Sequence, residues 1–121
     1  MKILVCEDNL LMLKTIEISL IKRGYEVLKA VDGGEGIRIL DREKVDLLLT
    51  DINMPYNSGL ELIQHIKNRL DYRVPVIIMS VINLEETKKL AKELGAVSYI
   101  TKPFDPGLLI HMIEEFTTKS E

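Results

Sequence analysis

The chain has 121 residues, 46% of them apolar and 29% charged, with 16 Lys plus Arg against 19 Asp plus Glu for a net charge of −3. That length and mixture suit one domain with a real core and exclude a disordered chain. A slightly acidic balance without a basic run gives no electrostatic ground for direct nucleic-acid binding, and no apolar run reaches the ~18 residues that a membrane-spanning helix needs. The opening MKILVCEDN turns acidic too soon for a signal peptide, so a cytoplasmic location with no membrane partner is expected. The single Cys6 cannot form an internal disulfide, and its place in an apolar run reads as an inert buried thiol.

Ile3 to Cys6 is a short apolar run that reads as a strand. Leu13, Ile16, Leu20 and Ile21 then recur at helical spacing up to Gly24, where a C-terminal glycine belongs. A second strand is expected over Val27 to Val31. The stretch DGGEG at 32–36 lacks the pattern of a nucleotide loop and reads as a turn into a short helix over Gly34 to Glu43. A third strand, Val45 to Leu49, leads through Thr50 to Asp51. Leu60, Ile63, Ile66 and Leu70 make the next helical stripe, with Asn57 and Ser58 as candidate caps. Val76 to Met79 is the fourth strand, followed by a helix carrying Leu84, Leu90, Ala91 and Leu94 and closed by Gly95. Val97 to Thr101 is the fifth. Leu109, Met112, Ile113 and Phe116 mark a last helix, capped by Asp105 with Pro106 at its first position, and Thr117 to Glu121 reads as a frayed tail.

Strands this short and this apolar suit burial on both faces. Alternating with helices, they predict an α/β fold, a (βα)₅ open parallel sheet with right-handed crossovers and helices on both faces, in a single domain over 1–121. Ligands of such sheets bind at the carboxyl ends of the strands. Glu7 and Asp8 follow the first strand, Asp51 the third, Ser80 the fourth and Lys102 the fifth, so one crevice should hold three carboxylates, a hydroxyl and an ammonium. Like charges ~4 Å apart repel by about 4 kcal/mol at an effective dielectric of 20. Lys102 cannot neutralise all three, and a hard divalent cation such as Mg²⁺ is the natural guest. A tetrahedral oxyanion on Asp51 would take the remaining cation and hydroxyl donors, and Asp51 is the one group placed as a nucleophile.

The segments ILVCEDN at 3–9, LLLTDINMPYNSGLEL at 47–62, PVIIMS at 75–80 and GAVSYITKPF at 95–104 carry a resemblance. Over nearly its whole length the chain resembles the receiver domain of bacterial two-component response regulators, chemotaxis regulators among them. The resemblance implies a flavodoxin-like fold with strand order 2-1-3-4-5. It implies that Asp51 accepts a phosphoryl group from a phosphohistidine on a sensor histidine kinase or histidine phosphotransfer protein. Asp8 and Asp51, with the backbone carbonyl of Asn53, would bind Mg²⁺ directly, and Glu7 mainly through water. Lys102 and Ser80 would hold phosphoryl oxygens, Tyr99 would turn inward behind Ser80, and the Lys102–Pro103 bond would be cis. The chain would be a signalling phosphoacceptor rather than an enzyme, acting on a downstream output protein or domain through the face over residues 84–117.

One departure from the family's pattern stands beside the hydroxyl: Val81 occupies a place usually filled by Ala or Gly. Two other functions compete. A module that docks partners without phosphorylation does not account for the intact carboxylate cluster. A phosphatase of the haloacid dehalogenase type wants a second Asp two residues after the first, and Asn53 stands there. His65 and His111 fall on helices away from the strand ends and read as surface or packing residues.

Overall fold

The computed structural model describes the backbone of residues 1–120 and the side chains of residues 1–117. Five strands alternate with five helices: β1 (Lys2–Cys6), α1 (Leu10–Lys22), β2 (Glu26–Ala30), α2 (Gly33–Arg42), β3 (Leu47–Asp51), α3 (Gly59–Arg69), β4 (Val76–Ser80), α4 (Glu85–Leu94), β5 (Ser98–Thr101) and α5 (Pro106–Ser120). All neighbouring strands pair parallel, in the order β2-β1-β3-β4-β5. This is the flavodoxin-like (βα)₅ arrangement expected. No helix of the described residues is long and apolar enough to cross a membrane.

Successive strand residues point to opposite faces, and here both faces are covered. Ile3, Val5, Leu47, Leu49, Ile77 and Met79 pack against Leu13, Ile16 and Leu20 of α1 and Leu109, Ile110 and Ile113 of α5. Leu4, Cys6, Leu48, Val76 and Ile78 face Ile39 and Leu40 of α2, Leu62, Ile63 and Ile66 of α3, and Ala91 of α4. Each fully buried Leu or Ile contributes roughly 1.5–3 kcal/mol relative to leaving it in water. The three central strands therefore carry much of the buried apolar core.

The helices start where their caps dictate. The Asn9 side chain accepts the Met12 N–H at the start of α1, and Asp32 accepts the Glu35 N–H at the start of α2. Of the two candidates before α3, Ser58 is the cap, in a reciprocal box with Glu61. Asp105 accepts the Gly107 N–H just ahead of α5. α4 differs, because Leu84 stands at its N-cap and makes no side-chain bond.

Several expected boundaries move. β2 starts at Glu26 and ends at Ala30, leaving Val31 outside it. β3 begins at Leu47 and takes in Asp51, and β4 takes in Ser80, so both groups are held within the pairing ladder rather than just past it. Of the α4 stripe Leu84, Leu90, Ala91 and Leu94, Ala91 alone is fully buried. A helix over the sheet edge finds less surface to cover than one over its centre. The tail expected to fray from Thr117 continues α5 to Ser120, and Glu121 lies outside the described residues.

Candidate functional site

β3 delivers Asp51 to the carboxyl edge of the sheet, paired with Met79 of β4. The turn after it folds back tightly. The Gly59 N–H bonds the Ile52 carbonyl at 2.9 Å, and a Cβ at Gly59 would overlap the Asp51 carbonyl oxygen. Only glycine lets the start of α3 lie this close behind Asp51. The Asp51 carboxylate also accepts the Asn53 N–H through Oδ1 at 3.3 Å, which orients it over the loop.

Glu7 and Asp8 leave β1, and the Glu7 N–H is tied to the Ala30 carbonyl at 3.0 Å. Lys102 leaves β5, its N–H on the Ser80 carbonyl at 2.7 Å, and the Lys102–Pro103 peptide is cis, as the resemblance implies. One carboxylate oxygen from each of Glu7, Asp8 and Asp51 lies within 4.8 Å of the others. The strand-end residues named from the sequence thus meet at one edge.

The charges are arranged unevenly. The Lys102 ammonium donates to Asp51 Oδ2 at 2.7 Å and to Glu7 Oε1. Glu7 Oε2 accepts the Asn9 N–H at 3.1 Å, so both oxygens of this fully buried carboxylate are taken by the chain itself. Burial pushes the Glu7 carboxyl above its ordinary range, against the bonds from Lys102 and Asn9. For Lys102 burial acts to lower the pKa, but the hydrogen bonds to Asp51 and Glu7 prevail and hold the ammonium above its ordinary value. Asp8 is exposed and its carboxylate has no hydrogen bond among the described residues. An all-oxygen, anionic donor set suits a hard cation. Asp8 is left open to ligate one, Asp51 Oδ1 holds only the longer bond from the Asn53 N–H, and Glu7 is engaged.

Ser80 is fully buried and its Oγ accepts the Ile82 N–H at 3.1 Å. The Tyr99 hydroxyl donates to the Ile82 carbonyl at 2.7 Å, and the Lys88 ammonium lies 5.8 Å from the Tyr99 ring centroid. Ser80 and Tyr99 are therefore joined through the backbone of a single loop residue. Val81 is 69% exposed at the mouth of the site. Cys6 is fully buried, its thiol pushed up to about 12 chiefly by burial, and it is inert. His65 bonds Asp41 across α3 and α2 at 2.7 Å, far from the strand ends.

Sequence reasoning missed the Glu7–Lys102 pair and the shared backbone of Ile82. No local signal marks either, because the first joins the ends of β1 and β5 with two strands between them and the second uses backbone atoms.

The model of the response regulator receiver domain family matches residues 3–114, and the chain belongs to that family. The structure of a Francisella response regulator 1452 receiver domain superposes with a TM-score of 0.92 at 27% identity, covering 99% of this chain and 98% of that one. A CheY-like receiver domain protein from Methanospirillum hungatei gives 0.88 at 30% identity, with 98% and 94% covered. The beryllofluoride-activated N-terminal receiver domain of Klebsiella pneumoniae RstA gives 0.86 at 26% identity, with 94% and 96% covered. A receiver domain of two-component signalling implies a phosphoryl-donating kinase or phosphotransfer partner and an output partner or domain.

Proposed function

We propose that Asp51 is the phosphoacceptor of this receiver, acting with Mg²⁺ in one receiver domain over 1–121. The observation that carries the reading is the carboxylate set Glu7, Asp8 and Asp51 with the Lys102 ammonium on Asp51. An Asp51 carboxylate oxygen attacks phosphorus; the new P–O bond forms as the P–N bond to the donor imidazole breaks, and the imidazole leaves with that electron pair. Asp8, Asp51 and the Asn53 carbonyl would hold Mg²⁺, which when bound offsets the charge of the carboxylates and of the transferred group. Glu7 acts at one remove, through water and through Lys102. Lys102 moves from the Asp51 carboxylate to a phosphoryl oxygen while Glu7 keeps hold of it, a charge-assisted contact at both ends.

The phosphoryl group adds about −1.5 to −2 charge. Ser80 turns its hydroxyl toward it and releases the Ile82 N–H, which leaves Tyr99 as the remaining tie on that loop. The equilibrium between two arrangements of the loop and α4 then shifts, and the face formed by α4, β5 and α5 reports it to the output partner.

The test is mass spectrometry after incubation with acetyl phosphate, with and without Mg²⁺. The wild-type chain should gain one labile phosphoryl group only when Mg²⁺ is present. Asp51→Asn, which keeps the volume and removes the nucleophile, should gain none while unfolding at the wild-type temperature. Uptake by the Asn variant at the wild-type rate would remove Asp51 from the role.

A further inference from the structure

Tyr56 has φ +72°, and it is the one non-glycine residue with positive φ among the described residues. The Asn57 N–H bonds the Pro55 carbonyl at 2.9 Å around it, closing a three-residue turn. Such a turn is rare and strained, and a bulky side chain at positive φ is disfavoured where glycine or asparagine is not. No packing of the side chain repays this: Tyr56 is 85% exposed, and among the described residues its hydroxyl has no hydrogen bond. The turn is nonetheless fixed. The Pro55 carbonyl also accepts the Gly33 N–H at 3.2 Å, and a Cβ at Gly33 would overlap the Asn57 carbonyl, so the loop is pressed onto the start of α2. A strained residue persists where its surroundings over-determine it, and such residues cluster at sites of function.

The loop bearing Tyr56 follows directly on Asp51, and Val81 and Leu84, at 69% and 60% exposure, stand on the next loop of the same sheet edge. The mouth is acidic inside and apolar at its rim. Lys102 would meet the phosphoryl group itself, and the rest of a donor protein can reach only the rim. Tyrosine suits this role, giving a large contact at small entropic cost and recurring among the residues that dominate interfaces. We infer that Tyr56 is a docking anchor for the phosphohistidine-bearing donor protein, presented to it by the strained turn. The inference rests on Asp51 being the phosphoacceptor, and deepens that reading by naming how the donor is held.

The test compares Tyr56→Gly and Tyr56→Asn with wild type in two loading reactions. One uses acetyl phosphate; the other uses the fastest donor in a panel of phosphorylated histidine kinase and phosphotransfer domains. Both variants relieve the backbone, so each should melt a few degrees higher than wild type. Loading by acetyl phosphate should be unchanged, while kcat/KM for the protein donor falls about tenfold, mainly through KM. Wild-type KM with the protein donor would overturn the anchor role, and so would an equal slowing with both donors, which would place the effect on the chemistry. If neither donor loads the wild-type chain, the assignment of Asp51 fails instead, and the two failures are thereby told apart.

Discussion

α3 and α4 are neighbours on the same face of the sheet and almost equal in length, with 11 and 10 residues, yet they are held differently. α3 starts with a capping box and buries Leu62, Ile63 and Ile66 against the central strands. α4 starts at an uncapped Leu84 that is 60% exposed, and it buries only Ala91 in full. The first anchors the loop that follows Asp51. The second carries the loop that Ser80 and Tyr99 hold through Ile82. A nucleophile needs a fixed position, and a switch needs an element whose alternative arrangement costs little. Under the proposed function the two helices divide those requirements, and Lys102, reaching from the end of β5 to Asp51 at the end of β3, spans them.

The sharpest way to break this comparison is to truncate one leucine in each helix. Leu62→Ala should cost about 2–5 kcal/mol, because it opens a cavity in the core. Leu90→Ala, at a position 45% exposed, should change stability by no more than about 0.5 kcal/mol. Urea unfolding of the two variants decides it; similar losses would mean that α4 is as firmly packed as α3.

A smaller effect is expected from the caps. Ser58→Ala should lose about 1 kcal/mol, while Leu84→Ser should gain several tenths to 1 kcal/mol by supplying α4 with the side-chain acceptor it lacks. If α4 is the pliant element, the added cap should also slow amide exchange in residues 85–88 without altering exchange in α3. An unchanged exchange pattern would count against it.

The smallest effect lies in the pH dependence of the contacts that Lys102 makes with Glu7 and Asp51. The folded-state pKa of Glu7 is raised above its ordinary value of 4.5, chiefly by burial. The folded state therefore binds that proton more tightly than the unfolded state. The stability linked to Glu7 is complete below pH 4.5 and is lost as pH rises through the higher folded value. Glu7→Gln stays neutral throughout, so its stability should fall less over that interval, as read by denaturant unfolding at a series of pH values. Identical slopes would mean that Glu7 does not titrate differently in the two states. Lys102 is also raised, so its contribution persists below pH 10.5 and disappears above it.

Much of this architecture was legible in the residues. Five apolar runs too short for helices, separated by stripes at helical spacing, define an alternating parallel sheet, because side-chain period and burial are local properties of the chain. Ser58 and Asp105 announce two helix starts for the same reason, as cap and capped N–H are only a few residues apart. The gathering of Glu7, Asp8, Asp51, Ser80 and Lys102 also followed, since in a parallel sheet every strand ends at the same edge. What the tertiary structure alone decided are the relations between elements. The α4 stripe looked as apolar as its neighbours, and its exposure comes from its place over the sheet edge. Lys102 could have faced Asp8; in the folded chain it meets Glu7 and Asp51. The positive φ of Tyr56 was set by the Gly33 and Pro55 backbone contacts, not by any preference of tyrosine. Periodicity is written along the chain, whereas pairing of charges and strain in a turn depend on which surfaces packing brings together.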